Sequence, residues 1–254
     1  AVFLSTPPAL HFNQGMKILR SGKHFFCEKP LTNNIELTIK LLDYAEKNDL
    51  AICEALMYQY HPHLFKLKNL MNSNEIENIK SVSSSFGLPF LNEPGYRLQK
   101  ELGASCLFDV GIYPISLIQS LFGYESIDVI DVDKVLNQAQ EFDLSGSAHL
   151  LIDSKINCFL EWSYNAAYRN DVDIQGENIS LYTSKIFSKD KEYTPIIEIK
   201  GANGNITKKK ISADNHFSLM IDYFAEIIEN KDKMKEMNIK TLRLSKLLNT
   251  IEKK

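Results

Sequence analysis

Three short apolar runs decide the fold: Val2-Phe3-Leu4-Ser5, His24-Phe25-Phe26-Cys27 and Leu50-Ala51-Ile52-Cys53. Each has the length and composition of a buried strand. Between the first two lies a helical pattern, Leu10 to Leu19, entered through Pro7-Pro8 and left at Ser21-Gly22. Between the second and third, Ile35, Leu37, Ile39, Leu41, Leu42 and Ala45 carry helical periodicity. The order β-α-β-α-β with short loops predicts parallel strands joined by right-handed helical crossovers, half of a doubly wound sheet.

Past residue 56 the grammar changes. A helix is expected from His63 to Met71, an alternating strand from Ile79 to Phe86, a Gly/Pro-marked loop over Leu88 to Gly95 and a helix from about Ser105 to Phe122. Then come β-like runs with no long helix between them: Ile127–Leu136, Leu144–Ile152, Ile156–Tyr164, Val172–Gln175, Ile179–Thr183, Ile196–Lys200 and Ile206–Ile211. Strands in series imply an antiparallel or mixed sheet. Helices at His216–Glu229 and about Ile239–Ile251 close the chain. The expected organisation is a partial Rossmann-like domain at 1–56 and a larger α+β domain at 57–254, with an open, mostly antiparallel sheet.

Composition narrows the function classes. At 44% hydrophobic and 24% charged residues the chain is neither disordered nor fibrous. A net charge of −3 argues against wholesale capture of nucleic acid, and the basic run Lys208 to Lys210 reads as a solvated hairpin flank. Cys27, Cys53, Cys106 and Cys158 form no CxxC pair, so buried free thiols in a reducing compartment are expected rather than disulfides or a metal site. No signal peptide and no apolar run near the ~20 residues of a membrane span is read. The expected location is therefore cytoplasmic, and the Asn178 and Asn205 glycosylation matches are chance.

In open α/β sheets ligands bind beyond the carboxyl ends of strands, which here are Ser5-Thr6-Pro7, Glu28-Lys29-Pro30 and Glu54-Ala55. Thr6 is either a helix cap or a ligand contact, and Glu54 either a boundary charge or a direct participant. Lys29, between a buried strand and a proline, has little freedom to swing into solvent. Asp109 and Tyr113 are four apart in a helical stretch, about 400° around the axis, and so share a face. That stretch is apolar nearly all round, and a carboxylate buried in it needs a partner. Taken singly, Asp109 anchors a helix and Tyr113 fills a core.

The residues together carry a resemblance. Ser5-Thr6-Pro7-Pro8, His11, Gly22-Lys23-His24, Cys27-Glu28-Lys29-Pro30-Leu31, Glu54-Ala55, Tyr96-Arg97, Leu102-Gly103-Ala104 and Asp109-Val110-Gly111-Ile112-Tyr113-Pro114-Ile115 follow one another in an order similar to the Gfo/Idh/MocA family of NAD(P)-dependent oxidoreductases. The similarity is greatest to its glucose-fructose oxidoreductase, D-xylose dehydrogenase and trans-dihydrodiol dehydrogenase branch. It implies that Lys29 is the catalytic lysine, joined to Pro30 by a cis bond, and that Tyr113 stands at the proton-transfer position. Asp109 and Arg97 would then contact substrate, and Ser5, Thr6, Pro7, His11, Glu28, Lys29 and Pro30 would face an NAD or NADP cofactor. The substrate implied is a sugar, polyol or diol. Hydride passes between its hydroxyl carbon and the nicotinamide while Tyr113 takes the proton, its phenolate sustained by the Lys29 ammonium.

One departure stands out. The family opens with a strand and GxGxxG, and this chain carries no such motif; Gly15 and Gly22 lie within and after a helical run. Two or three β-α units bearing that turn are expected within about one hundred residues before Ala1. The 254 residues alone are expected to bind NAD(P) negligibly. The rival reading is a non-catalytic, ligand-binding or oligomer-forming relative that lost the cofactor site. Homodimers or homotetramers through the carboxyl-terminal sheet are expected in either case.

Overall fold

In a computed structural model, residues 1–73, 75–89, 93–123, 127–137 and 142–254 are described. Three parallel strands, β1 (Val2–Leu4), β2 (Phe25–Glu28) and β3 (Ile52–Ala55), lie in the order β1-β2-β3. They are linked through α1 (Pro8–Arg20) and α2 (Ile35–Lys47). Strand alternation sorts the side chains: Phe25 and Cys27 join Leu19, Leu41 and Ala45 under α1 and α2, whereas Phe26 and Cys53 face the other way into the main core. Asn34 caps α2 by accepting from the Glu36 and Leu37 N–H groups. Thr6 does not cap α1. Pro7 occupies the cap position without a side-chain bond, and the Thr6 hydroxyl instead donates to Gln14 Oε1 at 2.7 Å.

The second unit is an eight-stranded sheet in the order β11-β10-β9-β8-β4-β7-β6-β5. Its strands are β4 (Ser81–Gly87), β5 (Ile127–Asn137), β6 (Phe142–Ile152), β7 (Ile156–Ser163), β8 (Arg169–Gln175), β9 (Ile179–Ser184), β10 (Ile196–Gly201) and β11 (Ile206–Lys210). Only β4 and β7 pair in parallel; the other neighbours are antiparallel. The expected strands therefore all form. Of the expected loop Leu88–Gly95, residues 90–92 lie outside the described residues.

Helices α3 (Pro62–Asn72), α4 (Ile112–Phe122), α5 (His216–Glu229) and α6 (Lys231–Lys253) cover one face of this sheet and bridge to the small one. The Phe26 and Phe224 rings sit 5.6 Å apart across the bridge. Helix α6 begins well before Ile239. Asn230 caps it, accepting from the Asp232 and Lys233 N–H groups, and in its first turns only Met234 and Met237 reach the core among charged residues. The expected helix from Ser105 also differs: Leu107–Gly111 forms a π-helical turn, and regular α geometry starts at Ile112.

Gly111 explains how closely that turn meets the sheet. A Cβ there would stand 2.9 Å from the Trp162 indole, so only glycine lets the backbone approach the ring. The stretch Lys100–Phe122 is long and apolar enough by composition to cross a membrane, contrary to the sequence expectation. Of its most apolar 18-residue window, however, 78% is buried within the protein, as in a core helix. All four cysteines are buried free thiols.

Candidate active site

The carboxyl end of β2 delivers Glu28 and then Lys29, whose peptide bond to Pro30 is cis. This turn is pinned from both neighbouring strand ends. The fully buried His11 ring places Nδ1 2.8 Å from the Pro30 carbonyl oxygen and Nε2 2.6 Å from that of Thr6. On the other side the Leu31 N–H donates to Glu54 Oε1 at 2.6 Å. Burial pushes the Glu54 carboxyl up to about 7, against the pull of that N–H and of Lys240 and Lys29. Glu54 is thus neither exposed nor in the cavity; it holds the turn from behind.

So fixed, the Lys29 side chain is 9% exposed and reaches the π-helical turn. Its ammonium donates to Asp109 Oδ1 at 2.5 Å and to the Asp109 backbone carbonyl at 2.6 Å. Asp109 collects three further donors: Tyr96 OH to Oδ1 at 3.2 Å, Arg97 Nε to Oδ2 at 2.6 Å and Tyr164 OH to Oδ2 at 2.8 Å. Burial would raise this carboxyl, but the Lys29 and Arg97 cations outweigh it and hold the group well below the usual carboxylate range. A widened turn suits this crowding, since π-type irregularities recur at functional sites. Upstream, Asp143 fastens the same turn, accepting from Ser105 Oγ at 2.6 Å and from the Leu107 N–H at 2.6 Å.

Tyr113 follows one turn later. The Lys29 ammonium lies 5.2 Å from the centre of its ring, and its hydroxyl contacts Met57 Sδ at 3.7 Å. Burial first, then the negative charges of Asp109 and Glu28, push the phenol above its ordinary value, so it stands as a neutral proton donor. Phe86, Tyr58 and Phe187 pack around the ring.

These residues meet at one cavity of about 320 Å³, walled by Glu28, Lys29, Arg97, Asp109, Tyr113 and Phe217 among others. A second cavity of about 220 Å³ shares Arg97 as a wall and adds Pro94, Leu98, Leu144, Tyr164 and Asn165. Of the expected site residues, Ser5, Thr6, Pro7, His11 and Pro30 do not line the first cavity; Ser5 is exposed and His11 is buried behind the turn. Two site residues, Tyr164 and Ser188, are not among those expected from the sequence. Tyr164 could have been found, because one residue past the end of β7 it continues the inward alternation of Leu160 and Trp162.

Among the described residues no group of three or more His, Cys, Asp and Glu could hold a metal ion. For a nicotinamide cofactor the residues fit in part. The cavity sits beyond the carboxyl ends of parallel strands and presents both an ammonium and a phenol, whereas Ser5-Thr6-Pro7-Pro8 after β1 supplies no glycine-rich turn for a pyrophosphate.

Comparison with known proteins decides the family. The profile of an oxidoreductase family with an NAD-binding Rossmann fold matches residues 1–56, and that of the GFO/IDH/MocA C-terminal domain matches residues 65–182. The chain belongs to the GFO/IDH/MocA oxidoreductases. This oxidoreductase is 26% identical over 253 residues to a dTDP-3,4-didehydro-2,6-dideoxy-alpha-D-glucose 3-reductase of Actinomadura kijaniata, covering 99% of the chain and 75% of that protein. It is 25% identical over 231 residues to an NADP(+)-dependent D-xylose 1-dehydrogenase of Haloferax volcanii, covering 90% of the chain and 70% of that protein. A crystal structure of a 3-ketoreductase from Actinomadura kijaniata with NADP and TDP-benzene superposes with a TM-score of 0.95 at 24% identity, over 100% of the chain and 77% of the other. That likeness establishes a shared fold: a parallel-stranded Rossmann-like layer followed by a larger, mostly antiparallel sheet.

Proposed function

We propose that this oxidoreductase interconverts a carbonyl and a hydroxyl on a sugar-type substrate, using NADP or NAD, with Lys29 and Tyr113 handling the proton. The observation that carries the reading is the state of Lys29. An ammonium has three N–H donors, and two are committed to Asp109, which leaves the third for a substrate oxygen in the cavity shared with Tyr113. A bound nicotinamide supplies or accepts the hydride.

In the reductive direction Lys29 polarises the substrate carbonyl and Tyr113 gives its hydroxyl proton to the oxygen as the carbon gains hydride. The raised phenol favours that direction, because a neutral tyrosine is ready to donate. The Arg97 guanidinium, one-third exposed between the two cavities, suits a substrate that extends past the reacting sugar, and a nucleotide-linked sugar such as the Actinomadura kijaniata reductase's has that form.

The test is Tyr113→Phe in the intact enzyme. Turnover should fall by about 10²- to 10⁴-fold, the usual loss for a general acid, with cofactor affinity nearly unchanged. Wild-type turnover in that variant on sugars, diols and nucleotide sugars would refute the assignment.

A further inference from the structure

Behind the cavity wall three histidine rings pack edge to face. His61 lies 6.2 Å from His63 and 6.0 Å from His216, centre to centre, and exposure is 0%, 0% and 2% respectively. Each carries one ring nitrogen without a protein partner: His61 Nε2, His63 Nδ1 and His216 Nδ1. Buried polar atoms are nearly always satisfied, so three in one cluster require an explanation.

The neighbouring bonds fix where the protons sit. His61 Nδ1 accepts the His63 backbone N–H at 2.9 Å as the cap of α3, so the His61 proton is on Nε2. The Thr183 hydroxyl donates to the Ile196 carbonyl at 2.7 Å, so at 2.7 Å from His63 Nε2 it can only accept. His63 therefore carries its proton on Nε2, and its Nδ1 is a bare acceptor. The cluster thus contains a donor, His61 Nε2–H, an acceptor, His63 Nδ1, and the His216 Nδ1, each without a protein partner. A metal ion does not fit, because His61 Nε2 is protonated while Nδ1 serves the helix.

The other groups facing the cluster leave it incomplete. The Lys189 ammonium donates to the Ile186 carbonyl at 2.9 Å, and Lys189 acts on all three rings only as a nearby charge. The Asp214 backbone carbonyl and the Asp214 charge both favour a proton on His61, without the carbonyl completing a hydrogen bond to Nε2.

We infer that one buried water molecule completes this cluster, accepting from His61 Nε2–H and donating to His63 Nδ1 and His216 Nδ1. One acceptor use and two donor uses match the capacity of water, and three partners are what a buried water typically has. The network joins the start of α3, the start of α5 and β9. Ser188 and Phe217, which wall the cavity, are the chain neighbours of Lys189 and His216. The water and its histidines therefore act as a fastener that holds that wall in place.

A crystal structure of the whole protein at a resolution that shows ordered water tests the site. A peak within about 3.2 Å of all three nitrogens is expected. A dry site, an anomalous metal signal or the Lys189 ammonium in that place would overturn the inference. Long-range proton–nitrogen NMR at neutral pH should find all three rings neutral and protonated on Nε2; an Nδ1 proton on His61 would be equally fatal. For the fastener role, His216→Phe should accelerate amide exchange at Ser188 and Lys189 by tenfold or more, whereas unchanged exchange in a folded variant refutes it. Should that variant fail to fold, the water and the tautomers still decide.

Discussion

Lys29 and Arg97 hold opposite oxygens of a single carboxylate, Lys29 at 2.5 Å on Oδ1 and Arg97 at 2.6 Å on Oδ2 of Asp109. Tyr96 and Tyr164 take the second position on each oxygen. A carboxylate accepts about four hydrogen bonds, so Asp109 is filled by protein. Its geometry makes it the anchor that presents two cations to the cavity, and each cation keeps N–H groups that are not bound to it.

Replacing Asp109 with Asn should therefore damage stability as well as chemistry. The change removes the charge that lets two cations sit side by side, and breaking a buried pair by deleting one partner costs about 3–5 kcal/mol. Arg97 is 31% exposed and can turn to solvent, which places the loss at the lower end. Urea denaturation reads it. A midpoint equal to that of the parent protein would show that the ion cluster is not holding the two layers together.

Tyr164→Phe isolates one spoke of the same hub. The ring remains beside the second cavity and only the donor at 2.8 Å disappears. A hydrogen bond to a charged group is worth about 1.5–3 kcal/mol. Stability should fall within that range and kcat/KM should drop while cofactor affinity holds, because Lys29 is positioned through Asp109. An unaltered denaturation midpoint together with unaltered kcat/KM would exclude Tyr164 from the site.

Both layers were legible in the sequence because burial writes itself as periodicity. Phe25, Phe26 and Cys27 are apolar on both faces, as a strand covered on both sides must be, and β7 and β8 alternate. Lys29 was legible from its confinement between strand and proline, and Asp109 from its charge inside an apolar helix. The π-helical turn was not, since one extra residue per turn leaves the apolar pattern of Leu107 to Ile118 unchanged. Nor were the His11 and Glu54 anchors of the Lys29 turn, whose meaning depends on which backbone groups arrive beside them.

The face of the large sheet away from the helices is expected to join a second copy. Phe159 and Tyr182 are 48% and 39% exposed there, and His149 stacks on Phe159 at 4.8 Å on β6 and β7, towards the β5 edge. Apolar rings set among polar strand residues mark association surfaces. Light scattering at micromolar concentration should report a dimer or tetramer, and Phe159→Glu should shift it towards monomer without unfolding the chain. A monomeric parent protein would end this reading.

Stability should fall as the medium is acidified from neutral to about pH 4. Burial, followed by the charge of Lys189, lowers His61 to about 4, His63 to about 3 and His216 to about 4, from an ordinary 6.5. The unfolded chain thus takes up protons from about pH 6.5 downward, whereas the folded cluster resists until about pH 4, and the difference favours unfolding. Glu54 works in the opposite sense. Raised to about 7, it is protonated in the fold before it is in the unfolded chain, and adds stability as the pH falls from 7 to about 4.5. Asp173 and Glu252, raised by burial, act with Glu54, and His24, lowered by burial, acts with the rings; the three deeply buried rings outweigh the carboxyls and leave a net loss. The urea midpoint should therefore decline steadily between pH 6.5 and 4.5, and His216→Phe should remove about a third of the rings' share, hence more than a third of the net slope, if the three rings contribute alike. A midpoint that stays flat across this range would mean that the rings take up protons as readily in the fold as in the open chain.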